Sequence, residues 1–167
     1  MAKITRADVH GKSQNRTALG MMNAYLAMFP SVTIDQLKNE FSKQAVCPDA
    51  GVGQLFFTIE EIEAGIASGN TWFVEDGAAF TKEGEWLTLK NGQKLAFNKM
   101  WTANSLAIFQ KHMVQYQIFG RVDKTVKAPA GFKIDYQYQE QPKKGLPVWV
   151  WLLALLVLAA LAYFLFR

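Results

Sequence analysis

Few side chains in this 167-residue chain are of the types that do covalent or metal chemistry, and their spacing works against such chemistry. The one cysteine, Cys47, lies in the loop Ala45-Val-Cys-Pro-Asp-Ala-Gly51. A thiolate nucleophile needs a base, and neither His10 nor His112 stands within a short-range motif of it. Nucleophile partners can be distant in sequence, so a catalytic thiol stays open, but an incidental unpaired cysteine is the simpler reading. A single cysteine also excludes an internal disulfide and fits a reducing compartment. The histidines have no metal-ligand spacing such as H-x-x-x-H. No G-x-S-x-G, phosphate-binding glycine loop or C-x-x-C occurs. The densest carboxylates are Glu60, Glu61 and Glu63. On a helix, positions i, i+1 and i+3 spread around the exposed side, which describes a solvated face rather than an acid–base pair. The sequence thus points away from an enzyme and implies no cofactor and no metal.

The elements around these residues are dominated by one feature at the far end. Leu146 to Phe166 is an uncharged run of 21 residues followed only by Arg167. At ~1.5 Å per residue a helix of that length reaches about 30 Å, the thickness of a bilayer's hydrocarbon core. Trp149 and Trp151 near one end and Tyr163 near the other fit interfacial aromatics, and Pro147 to Phe166 would form the anchor. Lys143 and Lys144 precede the run; by the positive-inside bias they face the cytoplasm and fix the orientation. Residues 1–20 carry charges throughout and no apolar core, so no signal peptide is expected there. The chain reads as a tail-anchored, single-pass protein whose domain faces the cytoplasm. The span has no charged residue to line a conduction path and no pair of small residues four apart to drive dimerisation.

The formal charge of +4 comes largely from the flanks of this run, since residues 143–167 contribute +3. Residues 1–33 carry +3, residues 34–76 carry −6, and residues 77–142 carry +4. The high isoelectric point is therefore poor evidence for nucleic-acid binding, whereas the acidic middle could meet a basic partner.

Residues 1–15 are polar and mixed, which describes a mobile N-terminal arm or a short strand. From Arg16, Leu19, Met22, Leu26 and Phe29 recur at helical spacing until Pro30. Thr33 and Gln36 form a capping box before the stripe Ile34, Leu37 and Phe41, and Thr58 and Glu61 repeat it before Ile59, Ile62 and Ile66. Leu55-Phe-Phe suggests a short buried strand, and Gly69-Asn70 ends the third helix. Thr71-Trp-Phe-Val is strand-like. Leu87 and Leu89 alternate with Trp86, Thr88 and Lys90, and Leu95 and Phe97 with Lys94, Ala96 and Asn98. Between them Asn91-Gly92 predicts a hairpin turn with positive φ at both positions. A fourth helix begins at about Ala103, capped by Asn104 or Thr102, and buries Leu106, Phe109 and Met113. Trp101 at the strand–helix junction would lock the hairpin to that helix. In 120–145, a connecting segment, Phe132, Ile134, Tyr136 and Tyr138 alternate with polar residues, which predicts a strand over 132–138. Internal pairing is favoured over an edge offered to a partner. Gln139 to Gly145 would then be a seven-residue tether reaching about 20–25 Å.

The expected class is α+β: three helices, a hairpin and a fourth helix over 16–119, plus the transmembrane helix over 146–166. That layout resembles a winged helix-turn-helix. Its third helix would read DNA, yet it carries Glu60, Glu61 and Glu63 and no Lys or Arg. Phosphate neutralisation dominates DNA affinity, so nucleic acid is not the expected partner; the wing lysines Lys82, Lys90, Lys94 and Lys99 are more simply a soluble hairpin face. The stretch Asn91-Gly92, Leu95-Ala96-Phe97, Trp101, Asn104 and Phe109 also resembles a recurring, poorly characterised bacterial module, D-G-x-x-I-A-V-x-x-x-W-x-x-x-N-x-x-x-x-F. Asn91 stands for the aspartate and Phe97 for a smaller β-branched residue. Thr17 to Phe41 is similar to the part preceding that motif. The resemblance implies a bacterial origin and a compact α+β domain, often appended to other machinery, and it carries no reaction. The expected function is that of an adaptor at the bacterial inner membrane. Its cytoplasmic domain would hold a protein partner beside the lipid bilayer through Glu60, Glu61 and Glu63. A membrane-tethered DNA-binding regulator is the alternative.

Overall fold

The computed structural model describes residues 2–71 and 77–139. Within them the chain is α+β, with two three-stranded sheets and five α-helices. The first sheet has the order β5-β1-β6, from β1 (Ile4–Gly11), β5 (Ile118–Val122) and β6 (Phe132–Tyr138). β1 runs parallel to β5 and antiparallel to β6. The second, all antiparallel, has the order β2-β4-β3, from β2 (Phe56–Thr58), β3 (Leu87–Thr88) and β4 (Lys94–Phe97). The helices are α1 (Gln14–Met28), α2 (Ile34–Glu40), α3 (Lys43–Val46), α4 (Ile59–Ala67) and α5 (Ala103–Met113), and a 3-10 turn (Val114–Tyr116) follows α5.

Residues 4–11 are not an arm but the central strand of the larger sheet. The reason is the size of the residues turned inward. Ala7, Val9 and Gly11 are small because α1 lies close upon them, so their alternation carries little hydrophobic signal. A Cβ on Gly20 would stand 2.6 Å from Val9 Cγ1, and one on Gly11 would stand 2.3 Å from the Thr17 backbone nitrogen. Glycine at both positions lets helix and strand approach to backbone distance. These pairs also set direction: Thr17 lies at Gly11 and Gly20 at Val9, so α1 runs back along β1. Its C-terminal residues, Met28 and Phe29, therefore reach the end of the sheet where β6 finishes at Tyr138.

The segment from 120 onward is likewise no mere connection. β5 and β6 complete the first sheet, so the domain continues past 119 to Tyr138, and the strand predicted over 132–138 pairs internally with β1. Both capping boxes are present, with Gln36 N–H donating to Thr33 Oγ1 at 3.3 Å and Glu61 N–H to Thr58 Oγ1 at 3.1 Å. Thr102 caps α5 by accepting from Ser105 N–H at 3.1 Å; Asn104 is exposed and does not. The hairpin turn differs from expectation, because only Gly92 takes positive φ (85°). Asn91 Oδ1 instead accepts from Gln93 N–H at 3.0 Å, and Gly92 N–H donates to the Leu89 carbonyl, giving a turn centred on Lys90-Asn91 with glycine closing it.

A chain of aromatic rings runs from the end of α2 through α5 to β4 of the second sheet. Phe41 meets Phe109 edge-on at 5.9 Å, Phe109 meets Trp101 at 5.0 Å, and Trp101 meets Phe97 at 5.6 Å. Among the described residues no helix is long and apolar enough to cross a membrane. The predicted span 146–166, with Pro147, Trp149, Trp151, Tyr163 and Phe166, lies outside the described residues. So do Lys143 and Lys144, and all but Thr71 of the strand proposed at Thr71-Trp-Phe-Val.

Candidate functional site

An open groove of about 780 Å³ lies between the end of α1 and the length of α2. Pro30 ends α1 and Thr33 starts α2 three residues later, so Pro30, Ser31 and Val32 line one side. Gln36, Asn39 and Glu40, one helical turn apart, form the other. Tyr25 and Phe29 floor it with ring centroids 4.8 Å apart, and Phe29 is 38% exposed.

Glu40 is held from behind. Its Oε1 accepts from the Tyr116 hydroxyl in a very short hydrogen bond and stands 3.0 Å from His112 Nε2. Burial first, and then the Glu40 carboxylate, push the ionisation of Tyr116 far up, so its hydroxyl keeps its proton and donates. Burial, and again Glu40, raise that of Tyr25. Tyr116 stands edge-on to Tyr25 at 4.9 Å and to Phe29 at 5.5 Å. Glu40, His112 and Tyr116 come from α2, α5 and the 3-10 turn, so no sequence spacing could have announced them.

The other histidine stands in a different cluster, on the sheet face opposite α1. Arg121 Nε donates to His10 Nδ1 at 2.8 Å, which leaves the ring proton on Nε2, 3.7 Å from Asp135 Oδ2. Asp123 Oδ2 lies 3.9 Å from Nδ1. Thr125 holds the Asp123 carboxyl below the usual range through its side chain and its backbone N–H. No group of acidic, histidine or cysteine side chains among the described residues is arranged to hold a metal ion. Cys47 is buried, with Asn98 Nδ2 3.8 Å from its sulfur, and burial raises its thiol's pKa above the ordinary value.

The acidic helix face divides by role. Glu60, Glu61 and Glu63 are all exposed, but Glu61 is also engaged in the fold: it closes the Thr58 capping box and pairs with Lys38 at 2.7 Å. Burial works to raise the Glu61 pKa, but Lys38 and the Thr58 N–H outweigh it and the net shift is downward. A carboxyl lowered on folding contributes stability that is present above its unfolded pKa and is lost as pH falls through the folded value. Glu61→Gln keeps a residue able to close the box and loses the Lys38 pair, so it should cost about 0.5 kcal/mol at neutral pH and progressively less below the ordinary carboxylate range, read from urea midpoints across pH.

Asn91 and Gly92 serve the hairpin turn, Trp101 and Phe109 are buried against each other, and Asn104 lies exposed in the first turn of α5. These motif residues do not converge on the groove. No family model, no curated protein and no solved structure matches this chain.

Proposed function

We propose that the chain is a membrane-tethered adaptor, a folded domain that binds a protein partner beside the bilayer. The observation that carries this reading is the position of the open groove. It lies at the end of α1, on the side of the domain where the chain passes Tyr138 and Gln139 toward the apolar run of 146–166. A partner seated there would be held close to the anchor. The bacterial resemblance and Lys143 and Lys144 support an inner-membrane setting with the domain in the cytoplasm.

The rival reading, a membrane-tethered winged-helix regulator, draws support from the strand order β2-β4-β3 and from Lys90 and Lys94, exposed on the hairpin. The helix preceding that hairpin, α4, carries Glu60, Glu61 and Glu63, which oppose a phosphate backbone. Nucleic acid is therefore not the proposed partner.

The test places a photo-crosslinking residue at Phe29 of the full chain in its membrane, with Lys124 at the opposite end of the sheet as reference. The adaptor reading expects discrete protein adducts at Phe29, absent at Lys124 and resistant to nuclease. Identical adducts at both positions would refute it. Duplex DNA binding that weakens steeply with salt would favour the regulator instead.

A further inference from the structure

We infer that the groove between α1 and α2 receives a basic side chain, arginine above all, from an extended segment of the partner protein. The inference rests on the adaptor reading and names the chemistry of its contact. Among the described residues that line the groove, Glu40 is the only charged one. Its Oε1 is occupied by Tyr116 and His112, while Oε2 has no partner among the described residues, and the side chain is 39% exposed. The bound oxygen holds the carboxylate in place, and the other is left for an incoming donor.

The rest of the groove suits the shape of an arginine. Met28, Pro30 and Val32 offer apolar surface to an aliphatic stem. The half-exposed ring of Phe29, backed at 4.8 Å by the buried Tyr25, offers a π-face to a planar guanidinium. Tyr116 stands edge-on behind both rings and fixes their tilt. Asn39 is exposed one position before Glu40 and can bond to the backbone of a peptide lying along α2. Competing ligands fit worse. An acidic side chain would meet Glu40, and a wholly apolar one would cover a carboxylate oxygen without supplying a donor.

The experiment uses the full chain in nanodiscs with methyl-labelled methionine and three peptides: Ac-Leu-Arg-Leu-NH2, Ac-Leu-norleucine-Leu-NH2 and Ac-Leu-Glu-Leu-NH2. Met28 lines the groove, while Met21 and Met113 are fully buried and report an intact core. The arginine peptide should shift the Met28 methyl saturably and leave Met21 and Met113 in place. The norleucine peptide should bind about tenfold more weakly, and the acidic one not at all. E40Q should abolish most of the arginine preference. Phe29→Leu, which keeps apolar surface but removes the ring, should also reduce it. An unmoved Met28 signal at about 10 mM arginine peptide, above the range of useful peptide affinities, overturns the inference. Equal binding of the norleucine peptide does so too, as does an undiminished preference in E40Q. The two readings separate through crosslinking at Phe29. Adducts that persist while the arginine peptide fails leave the adaptor standing without this chemistry; loss of both removes both.

Discussion

Replacing Glu85 with alanine is expected to lower the unfolding free energy by about 3 kcal/mol, the usual cost of stranding one member of a buried ion pair. Glu85 is 7% exposed and pairs with the Arg16 guanidinium in a very short contact. Arg16 also donates to the Ala130 carbonyl at 3.2 Å and lies over the Phe80 ring at 4.9 Å. Its guanidinium thus joins α1, the segment before β3 and the β5–β6 connection. Removing the carboxylate leaves a cation among apolar surfaces with only a carbonyl to accept from it. The paired replacement Arg16→Met with Glu85→Leu should cost much less than the two single changes together, because no unpaired charge remains. Urea unfolding of the four proteins gives this coupling directly. Additive costs would show that the pair is weaker than its burial suggests.

Trp101→Ala should cost about 3–5 kcal/mol, a large share of the 5–15 kcal/mol that holds a domain of this size. The ring is 7% exposed and sits between Phe97 on β4 and Phe109 on α5. Its Nε1–H donates to the Asn98 carbonyl at 2.8 Å. Trp101→Phe separates the two contributions. It keeps much of the packing and deserts one carbonyl, so a loss of about 1–2 kcal/mol is expected, measured by pulse proteolysis across urea concentrations. Equal losses for both variants would mean that the hydrogen bond rather than the indole's area anchors the hairpin to the helix.

Four of the five helices were legible in the sequence because their signals are local; the four-residue α3 is too short to carry one. Thr33 with Gln36 and Thr58 with Glu61 close their boxes within one turn, and the apolar stripes repeat within each helix. The strand over 132–138 was legible because large residues alternate with polar ones. β1 and β5 were not. Ala7, Val9 and Gly11 are too small to mark a buried face, and Gly120 sits within β5, where Met21 closes over it. Their partners also lie more than a hundred residues apart, beyond any window of periodicity. The same distance hid the groove's chemistry, since His112 meets Glu40 across 72 residues and Tyr116 meets it across 76. The acidic helix misled in part because a glutamate that closes a cap looks, in sequence, like one that only faces solvent. Glu61 is the former.

The place of β1 at the centre of its sheet sets an order of events on the ribosome. It is made before the other described strands, yet both of its neighbours come late, at 118–122 and 132–138. Until then the small-residue face of α1 has no sheet to cover it, and the early chain must wait, open, for almost the whole domain to emerge. A tag or deletion that disturbs the first ten residues would therefore unseat the strands made last, those nearest the stretch that leads toward the apolar run.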